Sequence, residues 1–138
     1  FIYYNERAME GTEETDAGAM IRDGIKSLHK IGTCSEKEWP YNIDVFTAKP
    51  PTSAYSHAAK ERAEEYARVP HTLEDMKACI AGGFPFAFGF TVFSSFMSEQ
   101  VKSSGYMTMP SSHDSVVGGH AVLAVGYDHK KHFIVRNS

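Results

Sequence analysis

Residues Gly118–Ser138 read GGHAVLAVGYDHKKHFIVRNS. Two apolar runs flank a charged turn, and the pattern predicts an antiparallel hairpin. With Asp128–Lys131 as the turn, Tyr127 stands opposite His132 and Asn137 stands opposite Val122. Directly opposed residues share a sheet face, as do residues two apart on one strand. His120 and Asn137 are therefore expected as diagonal neighbours on one face. A slip of one residue would put them on opposite faces, so the reading depends on register. An amide beside a histidine can fix its ring orientation and tautomer, which is the base-and-orienter half of a nucleophile–base–orienter triad. The plainer alternative is a strand-end histidine bonded to a nearby amide for stability alone. Gly118 and Gly119 leave the backbone before His120 open to close approach.

Upstream, "FPFAFGFTVF" alternates with a period of two. Phe84, Phe86, Phe88, Phe90 and Val92 form one heavy face. Ala87, Gly89 and Thr91 form a nearly bare one, suited to a packed helix or to an approaching ligand. A helix is predicted over about 16–31, with Asp16 as N-cap, Ala17, Met20, Ile21, Ile25 and Leu28 as its apolar side, and Gly32 at C′. "FIYYNERAMEG" fits a helix end or a short strand. Three prolines, Pro40, Pro50 and Pro51, predict a loop from Cys34 to Tyr55. "SHAAKERAEEYARV" reads as a helix whose last residues turn into a strand. "TLEDMKACIAGG" reads as a helix capped by Thr72 and Asp75 and stopped by Gly82-Gly83, with Leu73, Met76, Cys79 and Ile80 inward. A long polar connection then leads to the hairpin. Helices come first and strands last, an α+β arrangement with an antiparallel sheet.

The 138 residues suffice for a domain with its own core. A charged content of 22% and a hydrophobic content of 42% place the chain in the globular class. A net charge of -3 without a Lys/Arg cluster argues against nucleic acid as a partner. No apolar run has membrane-spanning length, so no membrane partner is expected. Phe1 is not a methionine and Ser138 ends a strand with no following turn, so the sequence reads as part of a longer chain. Localisation is not legible. His129 and His132 flank the turn without a supporting ligand pattern, so no metal site is expected there. His29, His57, His71 and His113 sit in polar contexts and read as surface residues.

The ending "GGHAVLAVGYD…FIVRNS" resembles the histidine and asparagine segments of papain-like cysteine peptidases. The wording is nearer to bacterial and viral members of that family. "DAGAMIRDGIKSLHKIGTCSEKEWPY" resembles the family's glycine-rich helix start and its Tyr-Pro-Tyr-like loop, here Trp39-Pro40-Tyr41. "LEDMKACIAGGFPFAFGF" resembles the helix and strand before the histidine segment. The resemblance implies a partial papain-like fold: residues 1–58 as the remainder of a helical domain, and 59–138 as an antiparallel sheet or barrel-like domain. It implies peptide-bond hydrolysis of a peptide or protein substrate, with no cofactor. His120 is then the general base and Asn137 its orienter. Gly119 and Ala121 match positions near the substrate groove, Gly18 a substrate-pairing glycine, and Gly89 a position lining the main specificity pocket. The second glycine usual beside Gly18 is Ala17 here.

One member of the triad has no counterpart. The family's cysteine lies at a helix start about 130–150 residues before the histidine and asparagine, and counting back from His120 passes Phe1. Cys34 follows a helix, where the dipole has the wrong sign for a thiolate. Cys79 reads as a small core residue in mid-helix; a disulfide between the two stays open. The expectation is a C-terminal part that needs a missing N-terminal half and is inactive alone. A catalytically silent papain-like module that binds peptides or a protein partner is the alternative. A third reading is another enzyme of the broader papain-like superfamily, against which the Trp-Pro-Tyr loop argues.

Overall fold

The computed structural model describes residues 1–129 and 132–137. The chain is α+β, and its described residues form five α-helices and one three-stranded antiparallel sheet. It divides into two compact units, Phe1–Arg68 and Val69–Ser138.

The first unit is helical. Helix α1 spans Ile2–Glu10 and ends at Gly11, whose left-handed φ of 71° closes the helix. Of the two readings of this stretch, helix is the one realised. Arg7 on α1 is fully buried and forms no ion pair with a carboxylate among the described residues. Its guanidinium instead donates to four carbonyls: Tyr3 (3.2 Å), Glu13 (2.6 Å), Thr15 (2.8 Å) and Phe46 (2.5 Å). It also lies over the Tyr3 ring at 4.1 Å from the centroid and the Phe46 ring at 5.1 Å. The planar five-donor fork suits this role, since four of its N–H groups find carbonyl acceptors and its faces stack on aromatic rings. Two irregular segments are thereby tied to α1.

Helix α2 runs from Ile21 to Lys30, so the expected start at Asp16 is corrected. Gly18 has φ +73°, which a continuing helix forbids, and Met20 is the extended N-cap residue. The Asp16 carboxylate accepts the Tyr3 hydroxyl instead of capping a helix. Met20 accordingly stays 64% exposed, while Ile21, Ile25 and Leu28 are half-buried. The end of α2 is as expected: Gly32 N–H bonds the Ser27 carbonyl at 3.1 Å with φ +90°. Gly32 is also where the backbone of 58–61 passes closest. A Cβ there would lie 1.9 Å from the Ala58 oxygen and 2.7 Å from that of Glu61.

The loop region holds a short 3-10 turn, Ile43–Val45, and then α3, Thr52–Ala58. The helix expected through "SHAAKERAEEYARV" thus stops at Ala58, and no strand forms at 65–69. The tail after α3 is used otherwise, with Thr33 N–H bonding Glu61 O and Ala63 N–H bonding Leu28 O. The Tyr55 hydroxyl on α3 donates to the buried Asn5 of α1 at 2.8 Å.

The second unit begins with α4, Leu73–Ala81, capped as expected: Thr72 Oγ1 accepts from Asp75 N–H at 3.1 Å and donates to the Asp75 carboxylate at 2.6 Å. Strand β1, Phe86–Phe93, is followed by a 3-10 turn, Ser94–Met97, and by α5, Glu99–Ser104. Phe84 lies before the strand and is 69% exposed, so the aromatic face begins at Phe86. Strands β2, Val116–Tyr127, and β3, Phe133–Arg136, complete the sheet in the order β1-β2-β3. Phe86, Val92, Val122 and Ala124 are buried on one face, while Ala87, Gly89 and Thr91 are exposed on the other. None of the described helices is long and apolar enough to cross a membrane.

Gly32→Ala should destabilise the protein by about 2–4 kcal/mol, adding a left-handed side chain to a backbone clash. Urea unfolding of the variant measures this, and a change under about 0.5 kcal/mol would contradict the close approach.

Candidate active site

The sheet register decides which side chains meet. On one side β2 pairs with β1 so that Phe90 lies opposite His120 and Gly89 opposite Ala121. On the other side Tyr127 pairs with Phe133, not with His132 as the four-residue turn predicts. Asp128 explains the longer loop. Its N–H bonds the His132 carbonyl at 2.9 Å, its carboxylate accepts the His132 N–H at 2.9 Å, and the His132 ring sits 3.0 Å away. The resulting offset does not persist. A bulge between Ala124 and Gly126 restores the expected register, giving Ala124 opposite Val135 and Leu123 opposite Arg136. An extra residue on one strand shifts the ladder by one position. One step further brings Asn137 level with Val122, on the face of His120.

The two side chains touch: His120 Nε2 lies 2.7 Å from Asn137 Oδ1. A carboxamide oxygen only accepts, so the proton of a neutral His120 ring is held on Nε2. Nδ1 then carries the lone pair, and it has no hydrogen-bond partner among the described residues. Two aromatic rings pack on the imidazole, Phe90 with centroids 5.9 Å apart and Phe96 at 6.2 Å. They continue a row along the sheet, with Phe96 against Phe90 (5.6 Å), Phe90 against Phe88 (6.1 Å) and Phe88 against Phe86 (5.9 Å). His120 therefore stands on the packed face. Gly89, Gly119 and Ala121 stand on the opposite, open face, with Gly119 opposite Thr91. Added Cβ atoms at Gly118 and Gly119 would meet nothing within 4 Å. Strand β3 ends at Arg136, so the β2 edge from Val116 to Ala121 has no partner strand on that side among the described residues. Both faces are accessible from this edge. A recess of about 300 Å³ opens beside His120, lined by Val92, Phe96, Met97, Val117, Gly118 and Gly119.

Gly18 belongs to the first unit. Its N–H donates to the Tyr3 hydroxyl at 3.2 Å, in an exposed position. Cys34 and Cys79 are both free thiols. Burial pushes the Cys34 thiol above its ordinary value, opposite to what an activated thiolate needs. Cys79 donates its S–H to the Phe84 carbonyl at 3.3 Å. Among the described residues no cluster of His, Cys, Asp or Glu could hold a metal ion.

Sequence reasoning missed Phe96 and Asp114. The Asp114 carboxylate accepts Ser94 Oγ–H (3.0 Å), Ser95 N–H (2.9 Å), and the N–H and Oγ–H of Ser111 (2.7 and 2.8 Å). These donors, led by those of Ser111, hold its pKa well below the ordinary 3.8. No local pattern announces a bond between positions 94 and 114. The Ser-rich, Asp-containing stretch 111–115 signals only a turn.

A family model described as the papain family cysteine protease matches residues 9–138. The chain is 45% identical to an uncharacterized peptidase C1-like protein of Acanthamoeba polyphaga mimivirus, covering 100% of this chain and 47% of that protein. Among solved structures it resembles xylellain, a cysteine protease from Xylella fastidiosa. The TM-score is 0.89 and the identity 44%, over 100% of this chain and 56% of that one. The chain thus spans about half the length of these relatives.

The sign of the Asp114 shift fixes a pH dependence. A carboxylate with a depressed folded pKa stabilises fully above its unfolded value and loses that contribution as pH falls through the folded one. The stability gap between wild type and Asp114→Asn should be constant from pH 7 to about 5 and narrow below about pH 4. Denaturant melts across this range test it; a gap that widened on acidification would contradict the hydrogen-bond assignment.

Proposed function

The chain belongs to the papain family of cysteine proteases, and we propose that it supplies the base and orienter of a Cys-His-Asn triad hydrolysing peptide bonds. The observation that carries this reading is the 2.7 Å contact between His120 Nε2 and Asn137 Oδ1. It leaves Nδ1 as the proton acceptor. The nucleophilic thiol is assigned outside this chain, because the relatives are about twice as long, burial pushes the Cys34 thiol up and the Cys79 thiol donates to the Phe84 carbonyl.

In this reading His120 Nδ1 takes the thiol proton, forming a thiolate–imidazolium pair. The sulfur attacks the scissile carbonyl and a C–S bond forms. The C–N bond then breaks as the imidazolium hydrogen passes to the departing amine. Water next attacks the thioester while His120 accepts its proton, and the acid leaves as the thiol is restored. Asn137 transfers nothing. It keeps the ring in one tautomer with Nε2 in one place, and stabilises the imidazolium by accepting from Nε2 throughout. The substrate backbone is assigned to the β2 edge at Gly119 and Ala121, with Gly89 lining a specificity pocket. No metal or organic cofactor enters these steps.

The test uses both the chain and the full-length polypeptide. Residues 1–138 alone should show no peptide turnover and no labelling by a thiol-reactive active-site probe. In the full-length protein, His120→Ala should reduce kcat/KM by about 1,000-fold or more. Asn137→Ala should reduce it by about 10- to 100-fold, since orientation is lost and the proton carrier is kept. Full activity in purified His120→Ala, or turnover by residues 1–138 that depends on Cys34 or Cys79, would overturn the reading. Peptide binding without turnover by the full-length protein would assign it instead as a silent module.

For specificity, Gly89→Phe should raise KM selectively for substrates with a large apolar residue two positions before the scissile bond. Unchanged discrimination between large and small residues there would remove Gly89 from the pocket.

A further inference from the structure

The imidazole of His120 is fixed by Asn137 at one point only. A single hydrogen bond to Nε2 sets where that nitrogen lies but leaves the ring free to turn about the bond, which would swing Nδ1 off its target. The ring plane is set by packing on Phe90 and Phe96. Phe90 is held by cross-strand pairing in β1. Phe96 is not in the sheet; it rides on the 3-10 turn Ser94–Met97, and its place depends on what holds that turn.

The Asp114 carboxylate holds it. One oxygen accepts from Ser94 Oγ and Ser95 N–H, the two residues leading into Phe96. The other accepts both donors of Ser111. Ser94 in turn is bonded twice to Ser115: its N–H to the Ser115 carbonyl at 2.9 Å, and Ser115 N–H to its Oγ at 3.2 Å. Ser94 Oγ therefore donates to Asp114 and accepts from Ser115, so its hydrogen-bonding capacity is used in one direction. Ser115 leads directly into Val116, Val117, Gly118, Gly119 and His120. The carboxylate joins the roots of the two walls of the recess, the wall of Phe96 and Met97 and the wall of Val117, Gly118 and Gly119.

We propose that Asp114 is a positioning residue for His120, acting through Phe96. The proposal rests on the reading of His120 as the base. Asn137 fixes the Nε2 end of the ring, and Asp114 fixes the aromatic surface that prevents rotation about that bond.

The experiment is a double-mutant cycle in the full-length polypeptide, with kcat expressed per active site titrated by a thiol-reactive probe, so that loss of folded protein does not count. Asp114→Ala should lower kcat about tenfold with KM within about twofold, the size expected of a small misplacement at a reacting group. Phe96→Ala should lower kcat similarly, and the double variant should fall no further than the worse single variant, because both act on one contact. Should Asp114→Ala fail to fold, Ser94→Ala, which removes one donor and spares the Ser111 pair, should cost about threefold in kcat, again only when Phe96 is present. Unchanged kcat per site in Asp114→Ala or Ser94→Ala, or losses that multiply with that of Phe96→Ala, would overturn the positioning role and leave His120 as base. Full kcat in His120→Ala would instead remove the base reading itself.

Discussion

The site depends on one constraint: the register of β2 against β3. Side chains alternate faces along a strand, so a ladder displaced by one residue would turn Asn137 away from His120. The loop after Tyr127 imposes such a displacement, because Asp128 gathers the backbone and ring of His132 around itself. The bulge beside Val125 cancels it. The bulge leaves Val125 42% exposed, and it adds local twist to the sheet at the strand end that carries the pair. Loop and bulge are therefore one device, and neither alone gives the 2.7 Å contact.

The first unit depends on a different kind of constraint. Arg7 is a buried cation with carbonyl oxygens as its partners. Such a group is tolerated only where its donors are satisfied, and removing the acceptors would leave an uncompensated charge. The loops at 13–15 and 46 are therefore held to α1 without regular secondary structure. The Tyr3 ring under the guanidinium carries the hydroxyl that bonds Asp16 and Gly18. The irregular stretch before α2 is thus set from α1, and it is this attachment, with Gly18 at positive φ, that delays α2 to Ile21.

What the sequence made legible follows from the range of the forces involved. Period-two alternation is local and steric, so β1 and the two faces of the sheet were readable from Phe86 to Val92. The Thr72–Asp75 cap and the Gly32 stop are equally local. The start of α2, the early end of α3 and the bond from Ser94 to Asp114 were not readable, because each is decided by groups distant in sequence. The placing of Asn137 beside His120 was reached through a turn one residue too short and without the bulge that offsets it. The two omissions compensate, since hydrophobic alternation registers neither Asp128's bonds nor an extra residue in a run of apolar ones. The resemblance to papain-like peptidases carried the residue roles that alternation alone left open, and the family match over residues 9–138 supports the membership, not each role.

The sheet divides labour between its faces. Every second residue of β1 on the packed side is aromatic or branched, and their rings stack from Phe86 to Phe90 and on to Phe96. That row gives His120 a rigid seat, and rigidity is what the proposed role of proton carrier would need to keep one nitrogen aimed. The intervening residues, Ala87, Gly89, Gly119 and Ala121, project little or nothing. In the proposed reading a substrate chain laid on that side would meet backbone, with few side chains in its way. The same two-residue period therefore serves both requirements of the proposed chemistry, a fixed base on one face and an unobstructed approach on the other. In that reading the two come together at the β2 edge, which has no partner strand beyond Arg136 among the described residues.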